Sequence, residues 1–475
     1  MSVMRTKPVE DVVEGRESSR LRRRLRARDL AGFGVGIVIG TGIFTLTGVE
    51  AKQHAGPAVT LSFVVAGVVA LLAAVCYAEL AAAVPTAGSA YTYAYATVGE
   101  LVAWIIGWDL LLEFALGAAV VSRGWSGYLA SLLDLPPGLF GEQAPVNLGA
   151  VAIILLMGAV AAAGIRQSAA LTNALVAGKV VICVFVVVAG AFLVDAANLT
   201  PFVPPARPAP GVTGLEQPLV QALFGLPQSA FGVAGVLTAA AVVFFAYTGF
   251  EAVANLGEET REPARDMPRG LLGTLVLATV LYVGVSFVVT GMVDYRAIDE
   301  GAPIASAFEA AGAGWAAVLV SLAAVVGLMS VLLVELVTIG RIGFAMGRDG
   351  LLPPALSAVH PRTGTPLRIT VGATVFIALL AGFVPLTELA DLVSIGALTA
   401  FVLVSLAVPV LRHTNPQLQR PFRVPLSPVL PVVSALACLY LMANLDVATW
   451  LRFAAWMGLG MVLYFAYGRR HSRLA

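Results

Sequence analysis

Apolar residues gather in about twelve blocks between Leu30 and the C-terminus, with cores near 30–50, 58–83, 101–131, 147–164, 171–195, 231–256, 270–293, 314–345, 367–384, 389–411, 428–444 and 448–467. Each block is long enough to cross a hydrocarbon layer of roughly 30 Å as a helix. Alternation of polar and apolar residues with period two is absent. The elements predicted are therefore helices, which satisfy their own backbone groups in lipid, and the fold class expected is an all-α polytopic membrane protein of about twelve transmembrane helices.

Two blocks are interrupted by flexible residues. The first reads Gly34-Val-Gly36-Ile-Val-Ile-Gly40-Thr41-Gly42 and the sixth reads Phe244-Phe245-Ala246-Tyr247-Thr248-Gly249-Phe250-Glu251. Small-residue packing accounts for Gly32, Gly36 and Gly40, which recur every four residues. Gly40-Thr41-Gly42 is read differently, because each glycine weakens a helix by about 1 kcal/mol. The breaks lie five spans apart, so the two helices run in opposite directions, as in inverted repeats of five helices. The division expected is a basic segment at 1–28, repeat one at 29–198, an outer loop at 199–229, repeat two at 230–411, an inner loop at 412–427, two extra helices at 428–468 and a tail at 469–475.

Composition agrees with a lipid environment. Of 475 residues, 59% are hydrophobic and 12% charged, and the mean hydropathy is +0.90, well above a soluble domain. The net charge of +1 carries little information, but its placement orients the chain. The run from Arg20 to Arg28 abuts the first span, which puts it in the cytoplasm by the positive-inside bias. Arg261, Arg265 and Arg269, Arg348, Arg362 and Arg368, Arg412, Arg420 and Arg423, and the tail arginines fall on the same side, whereas the loops at 132–146 and 385–388 have no Lys or Arg and the longer outer loop at 196–229 has Arg207. Both termini are then cytoplasmic and the protein a multi-pass one of the plasma membrane. The N-terminus lacks signal-peptide order, so the first span is expected to remain in the mature chain. Cys76, Cys183 and Cys438 sit inside spans and read as small buried residues. The four histidines form no metal pair and no phosphate loop is present, which argues against a metalloenzyme or an ATP-driven pump; no metal and no organic cofactor are expected.

Unwound backbone at membrane depth needs a polar partner, and that requirement points to the ligand. N–H groups at Thr41, Gly42 and Ile43 form the positive end of one half-helix and suit a carboxylate. Carbonyls of Val38, Ile39, Phe245, Ala246 and Thr248 suit an ammonium group. A zwitterionic amino acid offers both. Lys179, one of only three lysines, lies well inside the fifth span, where an amine is costly and is read as functional. Glu113 in the third span stands at a compatible depth, so the two could compensate each other. Glu251 follows the second break and is expected to cap its half-helix. Asp109, Arg123, Glu335 and Arg341 also lie within spans and are read as structural.

Gly36-Ile-Val-Ile-Gly-Thr-Gly-Ile-Phe44, Leu112-Glu113-Phe114, Trp125-Ser126-Gly127, Phe244–Glu251, Glu258-Glu259 followed by Pro263 and Arg265-Asp-Met-Pro268, and Ala345–Pro353 resemble the cationic amino acid transporter family of the amino acid, polyamine and organocation superfamily. The resemblance covers nearly the whole chain. It implies a five-plus-five inverted-repeat fold with broken helices 1 and 6, two extra C-terminal helices and alternating access around a midplane site. It places substrate contacts at Val38, Thr41, Gly42, Phe245, Ala246 and Thr248, with Phe245 also gating, Lys179 touching the broken first helix in place of a sodium ion, and Glu113 beside it. The chain departs from the family where Thr338-Ile339-Gly340-Arg341 replaces a Gly-Gln-x-Arg segment, and at Gly327-Leu328-Met329-Ser330, where Leu328 and Met329 are expected to face the substrate side chain.

The function expected is secondary transport of amino acids, not enzymatic catalysis. Coupling to protons through Lys179 and Glu113 and a broad neutral or small amino acid range are the leading reading. A permease or exchanger for arginine and lysine, a sodium-coupled carrier using Ser330, and a sensor without flux are the alternatives. The partners expected are the substrate and the bilayer, with the chain acting as a monomer. No nucleic acid is expected, and no disulfide-linked heavy chain, because 132–146 lacks cysteine.

Overall fold

The computed structural model describes residues 25–83, 91, 95, 99–164, 169–208, 214–226, 229–257 and 259–473. Most of the basic N-terminal segment, and Glu258 of the quoted motifs, lie outside them. Helices occupy every predicted block. They are α1 (Ala27–Val38), α2 (Val59–Ala83), α3 (Glu100–Leu133), α4 (Leu148–Ala162), α5 (Ala169–Ala191), α6 (Gly232–Val243), α7 (Pro263–Met292), α8 (Gly314–Arg348), α9 (Leu367–Phe383), α10 (Leu386–Thr414), α11 (Val429–Ala443) and α12 (Val447–Leu463). Among the described residues the only strands are a two-residue pair joining Arg207–Pro208 to Ser229–Ala230.

Eight helical stretches are long and apolar enough to span a membrane, and α4, α9 and α11 are shorter apolar helices. Burial separates the centre from the rim. In its most apolar window α3 is 89% buried, against 28% for the fifth span and 22% for the last, so α3 is the central post and the other two face lipid. Val181 and Val188 on the fifth span and Val462 on α12 are correspondingly exposed. α8 runs alongside α3, and together they form the wall onto which the broken helices fold.

The first span does not run through. α1 ends at Val38, and Ile39 is extended at φ −73° and ψ 92°, its amide still bonded to Val35. Winding resumes by Thr41 and continues as a π-turn over Gly42–Leu46, then Thr47–Glu50 and a second π-turn over Ala51–Ala55. The gap is thus at Ile39 and Gly40, slightly earlier than the Gly-Thr-Gly triplet suggests, because Thr41 already has helical angles. The sixth span breaks more widely. After α6 a 3-10 turn covers Phe244–Tyr247, Thr248 is extended, Gly249 takes φ +95°, and a 3-10 segment follows over Phe250–Leu256. A positive φ there is cheap only for glycine.

Ion pairs pin the helix ends. Glu79 on α2 bonds Arg412 of α10 at 2.6 Å and accepts from the Val424 amide at 2.6 Å. Glu100 at the start of α3 accepts from Tyr464 and from Ser472 in the tail. At the other end Arg123 is held by Glu142 at 2.9 Å and donates to the Ala381 and Val384 carbonyls, the structural role expected of it. Arg341 is exposed on α8.

Candidate functional site

The two breaks meet at one point. A side-chain carbon added at Gly42 would lie 2.4 Å from the Ala246 Cα, so the bare backbone of the first span touches the bare backbone of the sixth. The same closeness appears at Gly249, where an added carbon would meet the Ile37 side chain at 2.6 Å. Beside this crossing is a cavity of about 410 Å³, mouth included. Val38, Thr41, Gly42, Phe245, Ala246 and Thr248, six of the ten residues expected at the ligand, line it.

The other four do not. The side chains of Ile39 and Ile43 are buried in the apolar core, and only their peptide groups belong to the break. Leu328 is fully buried and Met329 packs against the core; α8 instead presents Val331, within the next turn, and Glu335, about two turns further along, to the cavity. The reason is the register of α8. Gly327, Val331 and Glu335 stack four residues apart on one face of α8, a Cβ at Gly327 would lie 3.3 Å from the Lys179 side chain, and Leu328 and Met329 sit off that face. Ser330 donates to Gly327 O of its own helix at 2.7 Å.

The exposed peptide groups are only partly free. Thr248 bonds the Phe245 carbonyl through both its amide and its hydroxyl. The Tyr282 hydroxyl of α7 lies 2.6 Å from the Val38 carbonyl and 3.0 Å from that of Ala246, so one buried phenol fastens both breaks. Tyr128 of α3 donates to Phe44 O at 2.6 Å on the other side of the crossing. Nothing in the sequence pattern around Tyr282 or Tyr128 marks them, since a tyrosine in an apolar span looks the same wherever its hydroxyl points. Thr41 Oγ1, in the cavity wall, is buried without a partner and remains available to a ligand, and Thr45 Oγ1, off the cavity, is also unpartnered. By helix geometry the first N–H groups after the gap have no intrahelical acceptor either.

Lys179 is 3% exposed and donates to the Gly36 carbonyl at 2.7 Å. Gly36 is in the last turn of α1, whose carbonyls lose their partners at the gap, so the amine caps the negative end of that half-helix. Glu251 accepts from the Gly249 amide at 2.8 Å and caps the second half of the sixth span. Glu113 lines the cavity but faces Glu251 rather than Lys179. Among the described residues no ion pair joins Glu113 to the lysine; the carboxylate that acts on Lys179 is Glu335. The amine reaches sideways to α1 while Glu113 points at the sixth span, so the compensating pair expected from depth alone is split. Glu335 also corrects its reading as structural, since it lines the cavity with Oε2 unpartnered.

A family model described as "Amino acid permease" matches residues 26–464. The chain is 41% identical to the methylthioribose transporter of Bacillus subtilis (strain 168), over all of this chain and 99% of the relative. It is also 41% identical to the branched-chain amino acid permease BcaP of the same organism, with the same coverage. It is 32% identical to the mitochondrial cationic amino acid transporter 3 of Arabidopsis thaliana, over 96% of this chain and 92% of the relative.

Proposed function

The chain belongs to the amino acid permease family, and from that premise we propose that it carries amino acids across the plasma membrane by alternating access, as a proton symporter of broad neutral or small amino acid range, with both termini in the cytoplasm. The observation that carries this reading is the crossing of two broken helices at Gly42 and Ala246 beside a buried cavity. Amides after the first gap suit the substrate carboxylate, and carbonyls of Ile39, Phe245 and Thr248 suit its ammonium. Phe245, in the cavity wall, serves as the gate, with Glu251 holding the half-helix behind it. Lys179 supports coupling. As an ammonium it holds Gly36 O firmly, and as a neutral amine it holds it less well, so its proton biases the angle at which α1 enters the gap.

Glu113 and Glu335 in the cavity wall favour a second reading, a permease for cationic amino acids. The same experiment separates the two. Purified protein in liposomes is given labelled leucine or arginine with the outside acidic. Accumulation of leucine that grows with the pH gradient and disappears in Lys179→Ala supports the first reading. Arginine alone accumulating supports the second, and uptake indifferent to pH and to Lys179→Ala removes proton coupling. Binding of either amino acid without flux makes the chain a sensor.

A further inference from the structure

Among the described residues Asp109 is the one carboxyl with both oxygens buried and unpartnered. It is 1% exposed, it lies on α3 well inside the membrane span, and neither carboxyl oxygen has a hydrogen-bond partner. It does not line the cavity. An uncompensated carboxylate at such depth costs several kcal/mol, roughly what makes buried acids in membranes rare and functional. A group with no structural bond to make, kept at that cost, needs another occupant.

Its neighbours indicate which. Residues 109, 113 and 117 share one stripe of α3, since helix positions four apart stack on the same side. Glu113 stands one turn above Asp109. One turn above Glu113 is Gly117, and there the place of a side chain is taken by Glu335 of α8, whose Oε1 lies 2.9 Å from where a Gly117 Cβ would be. Below, Asp109 Oδ1 lies 3.0 Å from where a Cβ of Gly396 on α10 would be. Two glycines on different helices thus make room for two carboxyls, one with both oxygens unpartnered and the other with its Oε2 unpartnered. The other charges around this stripe are Glu251, which faces Glu113, and Lys179, which acts on Glu335. α4 carries no charged residue, Arg368 of α9 bonds Ala355, Arg123 is bound to Glu142, and Arg452 of α12 pairs with Glu388. Among the described residues no cation lies beside Asp109 and no cluster of side chains could hold a metal ion. The remaining occupant for a bare carboxyl in a dry setting is a proton.

We propose that Glu335, Glu113 and Asp109 form a file of proton-holding carboxyls along α3, with Asp109 as the station beyond the cavity that receives the coupling proton. The proposal rests on the proton-symport reading above. In each step an O–H bond at one carboxyl breaks as an O–H bond at the next forms, and the negative charge moves back by one place. Substrate contacts the upper members, whereas Asp109 touches only the proton.

The test uses the full-length protein in liposomes, with labelled leucine and labelled arginine as probes and a pH dye inside. Asp109→Asn keeps shape and removes the proton site. We expect counterflow of the transported probe at equal pH to persist, while accumulation driven by an acidic exterior and the accompanying proton entry fall by about tenfold or more. Gly396→Ala, which crowds the carboxyl without deleting it, should fall between wild type and Asp109→Asn. Asp109→Asn that accumulates and acidifies like wild type overturns the file while leaving proton symport standing. So does equal loss of counterflow and accumulation in a well-folded, monodisperse Gly396→Ala protein, since that makes the site structural. Wild-type protein that moves neither probe, or moves one without protons, overturns the symport reading and the file with it.

Discussion

At the residue scale the molecule depends on contacts with no slack. Gly42 has none against Ala246, so Gly42→Ala must separate the two breaks. Overpacking of this kind costs about 1–3 kcal/mol, and the expected outcome is a protein with lowered thermal stability in detergent and no measurable uptake. Tyr282→Phe is gentler, since it deletes one hydroxyl and leaves the ring stacked edge-on against Phe63 and Tyr247. The loss of a hydrogen bond to either carbonyl is worth roughly 0.5–1.5 kcal/mol. The variant should fold normally and bind labelled amino acid more weakly, which a scintillation proximity measurement would detect. Unchanged binding would mean that the phenol does not hold the breaks.

At the element scale the two half-helices are set by different means. The first is capped by a cation reaching from α5 to Gly36 O, the second by its own Glu251 folding back on Gly249 N. Gly249→Ala forces a side chain into a left-handed conformation at about 1–2 kcal/mol and drives it into Ile37. It should impair transport without altering the distant Glu79–Arg412 end of α2 and α10, an outcome that limited proteolysis and uptake together would check. Lys179 was legible in the sequence because a lone lysine in an apolar span is conspicuous. The resemblance set it against the broken first helix, and it donates to Gly36 O there; the direction of Glu113 was not legible, because depth along a helix says nothing of direction around it: Glu113 and Lys179 match in height, yet one turns to Glu251 and the other to α1. Leu328 and Met329 lie off the cavity for the same reason, since the rotation of α8 decided which of its faces meets it.

At the scale of the whole molecule, the spans and the basic loops imply one orientation. Cys76, Cys183 and Cys438 are all buried, so introduced cysteines report alone. Gly138→Cys, in the exposed short helix Pro137–Phe140 after α3, should react with a membrane-impermeant maleimide in intact cells, and Arg362→Cys only after lysis. The opposite pattern would invert the topology argued from the arginines. The central position of α3, flanked by α8 and α10, also explains why buried carboxyls accumulate there: it is the helix furthest from both lipid and water.

Hydropathy marked the number of helices, and flexible residues inside the first and sixth blocks marked the two helices that come apart, because lipid makes spans declare themselves as long apolar runs and glycine weakens a helix wherever it stands. Which carbonyls Tyr282 would fasten, that Glu335 would enter the cavity and that Asp109 would be left without a partner were decided only by folding. Those outcomes depend on the rotation of each helix about its axis, and in a chain whose spans are apolar all round no periodic stripe records that angle; neighbouring helices fix it by packing.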